Sequence, residues 1–177
     1  SIGYLTLNLA RAVRESGHVY AFEPTNNQFT YLQANIDANG FKERVTAHNF
    51  AAWDKVEDNF VRRDSATTGN RIQVNAGFTE PMKGVVLDEV LPEKIDFIKI
   101  DVDGSEPRVL RGLIKTFERN PQLRLIIEYY PKCMEGVGND PKEMMAILDK
   151  YFTYQKIEGD YNDDPNNPYW NYLCTRK

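Results

Sequence analysis

The chain has 177 residues, 41% of them hydrophobic, which is enough for one sizeable core and too few for two comfortable domains, so a single domain over residues 1–177 is expected. Twenty-two Lys and Arg oppose 26 Asp and Glu, a formal charge of −4 with the basic residues scattered, which argues against nucleic acid as the main partner. No apolar run approaches the roughly 18 to 20 residues of a membrane span, so no membrane partner is expected.

The chain opens at Ser1 with no signal-like start, and the absence of an initial Met leads us to expect a trimmed piece with sequence upstream. Cys133 and Cys174 lie far apart and match no metal spacing, which suits a reduced, cytoplasmic protein.

In chain order, Leu5, Leu9 and Val13 recur at a spacing of four and predict a helix over 4–16, with Gly17 as its left-handed end. The run 18–23 reads as a strand. Thr25 and Gln28 form a candidate capping box for the next helix, whose Phe29, Leu32 and Ile36 share a face before Gly40 closes it. With an apolar run over 45–52 these elements make a βαβ unit, hence parallel strands. Residues 57–89 have weak helical periodicity, Gly69, Gly77 and Gly84, and β-prone pieces such as 71–74. They predict a loop-and-hairpin insertion. A strand over 95–101 follows, then a helix capped by Ser105 with Val109, Leu110, Leu113, Ile114 and Phe117 as one stripe, stopped by Asn120 and Pro121. Leu123 to Tyr130 is the next buried strand. Asp140, Pro141 and Glu143 open a helix with Met144, Met145 and Leu148 on its core face. Strands over 153–157 and 169–175, separated by a turn-rich run, predict a closing antiparallel hairpin.

Two of these strands end abruptly in carboxylates beside turn residues: 18–24 (HVYAFEP) in Glu23, and 97–104 (FIKIDVDG) in Asp101 and Asp103. Ligands of open α/β sheets bind beyond the carboxyl ends of the strands, so these acids stand where a nucleotide-like cofactor would sit. Glu23 is placed to accept hydrogen bonds from both ribose hydroxyls; the alternative is a solvated strand end or a partner for the following helix. Asp101 and Asp103 alternate and face opposite ways if the strand persists, and Asp103 with Gly104 equally suits a plain turn. Asp101, Asp103 and Glu106 are hard oxygen ligands, but they lack the loop pattern of a calcium site, and no metal is expected. Glu128 interrupts an apolar run, which makes it a candidate for base catalysis or for an ion pair with Lys99. His18 and His48 lie at the start and near the end of short strands; His48 is placed where it could approach the site, but a lone His is more often structural.

Together VYAFEP (19–24), Asn35 with Asn39 and Gly40, 51–54, FIKIDVDG (97–104) with Glu106, Val109, Leu110 and Gly112, LIIEYYP (125–131), and Leu173 with Cys174 resemble the FkbM family of S-adenosylmethionine-dependent methyltransferases. The resemblance implies an α/β fold: a Rossmann-like class I methyltransferase sheet, mostly parallel, with an antiparallel C-terminal hairpin. It also implies that the first strand and its glycine-rich loop precede Ser1, leaving Gly3 as the tail of that loop. The family usually has Glu where this chain has Asp103. By the same resemblance S-adenosylmethionine is the cofactor. Gly3, Tyr4, Glu23, Pro24, Asn49, Ala51, Trp53 and Asp101 bind it, with Asn49, Ala51 and Trp53 near the adenine. Trp53 is equally a core residue and Tyr4 a helix start. Asp101 and Glu128 are the candidate catalytic groups, and the acceptor is a hydroxyl on a sugar, glycan or polyketide-like small molecule. Two alternatives share the sheet: a nicotinamide-dependent oxidoreductase and a noncatalytic binding module.

Overall fold

Val19–Phe22 (β1) and Val45–His48 (β2) pair in parallel, Val19 opposite Val45 and Phe22 opposite His48, in the computed structural model. That structure describes the backbone of all residues except 64–69, 74–79 and 163, and side chains except those of 58–63, 70–73, 80 and 158–161. Helices Tyr4–Ala12 (α1) and Asn26–Ala38 (α2) flank this pair and bury Ala10, Leu32 and Ile36 against Val19, Ala21 and Val45. The first helix stops short of the expected 4–16. Arg14, rather than Gly17, takes the positive φ that ends it, at 58°.

The apolar run 45–52 is two strands, because β2 ends at His48 and Ala51–Trp53 (β3) leaves it for a different sheet. There β3 runs parallel to Glu80–Val86 (β6), which pairs antiparallel with Glu57–Arg63 (β4), and β4 pairs with Asn70–Gln73 (β5). The described strands of the insertion thus lie in the order β6-β4-β5, with β4 central and antiparallel to both neighbours; Gly69, Val74 and Gly77 lie outside the described residues.

A short helix, Leu87–Val90 (α3), leads to Phe97–Ile100 (β7), which is parallel to Arg124–Tyr129 (β8). The predicted helix over 105–120 divides at Gly112 into Glu106–Arg111 (α4) and Ile114–Arg119 (α5). A Cβ at Gly112 would lie 2.2 Å from the Trp53 carbonyl oxygen, so only glycine lets this bend sit on β3. Pro131–Gly136 (α6) is a further short helix after β8. In Pro141–Tyr151 (α7), Asp140 caps as expected by accepting from Lys142 N–H at 2.9 Å. Phe152–Asn162 (β9) and Tyr169–Arg176 (β10) close the chain as an antiparallel hairpin, with β10 beside β8.

Among the described residues three strand pairings are parallel and four antiparallel, so the sheets are mixed rather than mostly parallel. β4, inside the insertion, makes two of the antiparallel pairings and β10 makes the other two. The largest core lies between β7, β8 and β10 and helices α4 to α7, with Phe117 edge-on to Phe152 at 5.1 Å; Phe22 from β1 and Ala52 from β3 pack against it. No described helix is long and apolar enough to cross a membrane.

Candidate functional site

The last ladder bond of β1 runs from Glu23 N–H to His48 O at 3.0 Å, and Pro24, lacking an N–H, ends the strand there. Glu23 is buried at this end. Its Oε1 accepts two hydrogen bonds from Thr25, one from the backbone N–H at 3.0 Å and one from the hydroxyl at 2.7 Å. Its Oε2 is contacted by the Ser1 nitrogen. The expected capping box of α2 does not form: the Thr25 side chain is turned to donate to the Glu23 carboxylate, and its oxygen accepts no cap bond from the helix N–H groups. Asn49 holds the turn from the other side, with Nδ2 donating to the carbonyls of Glu23 at 3.0 Å and Pro24 at 3.1 Å.

β7 ends at Ile100, before the alternation of Asp101 and Asp103 can continue. Asp103 (φ 51°) and Gly104 (φ 98°) turn the chain through the left-handed region. A Cβ on Gly104 would meet the Cys133 carbonyl oxygen at 2.6 Å. Two buried side chains clamp this turn from below: Glu106 Oε1 accepts from Val102 N–H at 2.9 Å, and Asn139 Nδ2 donates to Gly104 O at 2.8 Å. Ser105 makes no cap bond, and neither its Oγ nor Glu106 Oε2 has a hydrogen-bond partner among the described residues. Burial pushes the Glu106 carboxyl up to about 7; the N–H groups of Val102, Glu106 and Gly104 oppose the rise and Asp101 adds to it.

Glu128, on β8, is 7% exposed. Burial pushes its carboxyl up to about 8, helped by Asp101 and Glu106, opposed by Lys99 and helped again by Asp103. A left-handed turn at Asp103 and Gly104 replaces the strand here, so the alternation that would set Asp101 and Asp103 on opposite faces does not continue. Lys99 forms its ion pair with Asp101, Nζ to Oδ2 at 3.2 Å, and no ion pair to Glu128 is present among the described residues. Asn171, opposite Glu128 on β10, accepts from Lys99 Nζ at 3.0 Å.

The other sequence candidates sit as follows. Gly3 is buried at φ 107° against Leu32, and Ile2 O beside it accepts from Asn35 Nδ2 at 2.8 Å. Tyr4 is 75% exposed at the start of α1, and Pro24 is half-buried. Ala51 and Trp53 are both buried; the Trp53 ring lies under the Arg108 guanidinium, 4.8 Å from its centroid, and its Nε1 donates to Glu57. His48 stacks on Phe22, with burial lowering its pKa, and His18 bonds the Thr46 hydroxyl at 2.7 Å. No group of three or more His, Cys, Asp or Glu side chains among the described residues is arranged to hold a metal ion.

Sequence reasoning missed Thr25 as the partner of Glu23, Asn171, and the Glu106–Asn139 clamp. A hydroxyl two residues beyond a strand-terminal carboxylate was a readable signal for the first; the others depend on the pairing of β8 with β10 and on the packing of α6 under the turn.

Comparison with known proteins gives a consistent family. Residues 1–156 match the methyltransferase FkbM domain. Among solved structures the chain is similar to methyltransferase FkbM from Methylobacillus flagellatus KT, with a TM-score of 0.63 and 17% identity over 98% of this chain and 41% of that one. It is similar to the O-methyltransferase from Bacillus cereus in complex with SAH, at a TM-score of 0.58 and 14% identity over 99% of this chain and 70% of that one. It also resembles an rRNA methylase from Streptococcus thermophilus, at a TM-score of 0.55 and 11% identity over 98% and 95%. The chain therefore spans well under half the length of the FkbM methyltransferase it matches. No curated protein sequence matches it. Because this fold occurs under both O-methyltransferase and rRNA methylase names, the scattered charge of the chain does not by itself set nucleic acid aside as a partner.

Proposed function

The chain belongs to the methyltransferase FkbM domain family, a family of S-adenosylmethionine-dependent methyltransferases, and on that premise we propose that it methylates a hydroxyl oxygen of a sugar or polyketide-like small molecule. The whole of 1–177 is read as one domain, with the insertion over 57–89 as the source of acceptor selectivity, since segments outside the common sheet vary while a cofactor site is fixed. Two cysteines far apart in sequence, both buried, suit a reducing, cytoplasmic setting.

The observation that carries the reading is Glu23, a buried carboxylate at the carboxyl end of β1 whose orientation is set by Thr25. The residues fit the cofactor by their chemistry. Glu23 is a charged acceptor suited to ribose hydroxyls, and Asp101 offers a negative charge to the ammonium of the methionine portion. When bound, the cofactor supplies a methyl group already activated on a sulfonium. The protein's own work is alignment and the handling of one proton. Asn49 and Thr25 keep the Glu23 turn fixed. Glu128, buried close enough to Asp101 for the two to interact, is suited to hydrogen-bond the acceptor oxygen and to take up or pass on its proton.

Incubating the full-length protein with methyl-labelled S-adenosylmethionine and separate pools of hydroxylated small molecules, glycans and RNA tests this. Label in a small-molecule or glycan pool supports the proposal; label in RNA alone replaces the acceptor class.

A further inference from the structure

Lys99, Ile126, Glu128 and Asn171 share one face of the sheet, because Lys99 pairs with Ile126 and Glu128 with Asn171 across β7, β8 and β10. The Lys99 ammonium has three donors and meets three acceptors: Ile100 O at 3.2 Å, Asp101 Oδ2 at 3.2 Å and Asn171 Oδ1 at 3.0 Å. The ammonium reaches from β7 to β10 over the strand that carries Glu128, and it spends every N–H on other groups.

We propose that Lys99 and Asn171 are positioning residues that keep Glu128 out of an ion pair, so that it remains a carboxyl able to carry and exchange a proton beside Asp101. This rests on the role given to Glu128 above and names what sets it. A lysine next to a buried carboxylate would ordinarily close on it. Here Asn171 supplies the competing acceptor and Asp101 the competing charge, and Lys99 acts on Glu128 only through space. The charged and titratable groups around Glu128 are Lys99 and Asp101 of β7, Asp103 of the turn and Glu106 of α4. Burial and the three acids favour the protonated form, and of these four groups Lys99 alone opposes them.

The experiment is a carbon-13 NMR titration of the Glu128 carboxyl in the full-length protein, wild type against Lys99→Met, Lys99→Arg and Asn171→Ala, with S-adenosylhomocysteine titrated into each by calorimetry. Lys99→Met removes the opposing cation and should move the Glu128 titration up by about one pH unit. Asn171→Ala frees the ammonium to close on Glu128 and should move it down. Lys99→Arg keeps the charge and should stay near wild type; if Lys99→Met does not fold, a downward shift in Asn171→Ala with none in Lys99→Arg supports the inference, and no shift in Asn171→Ala overturns it. Shifts of opposite sign support the inference; no shift, or shifts of the same sign in both variants, overturn it. A purely structural role would change folding without moving the two titrations apart. Failure of the wild type to bind S-adenosylhomocysteine while the titrations move as stated would overturn the methyltransferase reading and leave the electrostatic one standing.

Discussion

Thr25 donates twice to one oxygen of Glu23, from its hydroxyl at 2.7 Å and its backbone N–H at 3.0 Å. The pair fixes the carboxylate that we propose receives the cofactor ribose. Thr25→Val keeps the shape and removes one charge-assisted bond, so it should cost about 1.5–3 kcal/mol of stability and weaken S-adenosylhomocysteine binding. Thr25→Ser should stay close to wild type in both. Urea unfolding and calorimetry measure the two effects, and a Thr25→Val protein equal to wild type would show that the hydroxyl does not hold Glu23.

Gly104 and Gly40 both have positive φ, at 98° and 70°, but differ in surroundings. A Cβ at Gly104 meets Cys133 O at 2.6 Å, whereas at Gly40 it meets nothing within 4 Å. Gly40→Ala should therefore cost only the left-handed backbone penalty of about 1–2 kcal/mol. Gly104→Ala adds displacement of α6 from the turn after Asp101, and should cost at least about 1 kcal/mol more. Equal losses in urea unfolding would contradict the close approach.

Glu128 and Glu106 are raised in the folded protein to about 8 and about 7, chiefly by burial. Between the ordinary Glu range near 4.5 and those values, the folded state holds protons that the unfolded state has released. Stability from these groups is therefore complete below about pH 4.5 and is lost as pH rises through 7 and 8. Glu128→Gln removes one such proton, and its stability should fall less between pH 5 and pH 8 than that of the wild type. Parallel urea midpoints across that range would contradict the raised value.

Arg111, at the end of α4, donates to Asp54 just after β3 and to Glu143 in the first turn of α7. One guanidinium thus joins three elements. It is only partly shielded, at 32% exposure, so Arg111→Met should cost about 1–3 kcal/mol, between the values for exposed and buried pairs. A double-mutant cycle with Asp54→Asn should give a coupling of about 1 kcal/mol or more; additivity would contradict the bridge.

The strands were legible where an apolar run ended at a carboxylate. Both 18–24 and 97–104 carried that signature, and Glu23 and Asp101 lie at the strand ends it indicated. Local chemistry was less legible where tertiary partners compete. Thr25 and Ser105 both read as helix caps, yet Thr25 turns to a buried acid, and at α4 it is Glu106 that satisfies a backbone N–H. Gly112 divides a continuous apolar stripe because α4 must approach the Trp53 carbonyl, a contact that no periodicity announces. The Lys99–Asn171 bond joins residues 72 apart in sequence, and only the placement of β10 beside β8 brings them together.

The most direct test of the central claim is calorimetric titration of S-adenosylmethionine and S-adenosylhomocysteine into the full-length protein, alongside Glu23→Ala and with NAD as a control. The account predicts binding of both methyl-cofactor forms, weakened at least about tenfold by Glu23→Ala through loss of a charged acceptor, and no binding of NAD. A folded protein that binds neither form, or binds them equally well without the Glu23 carboxylate, would contradict it.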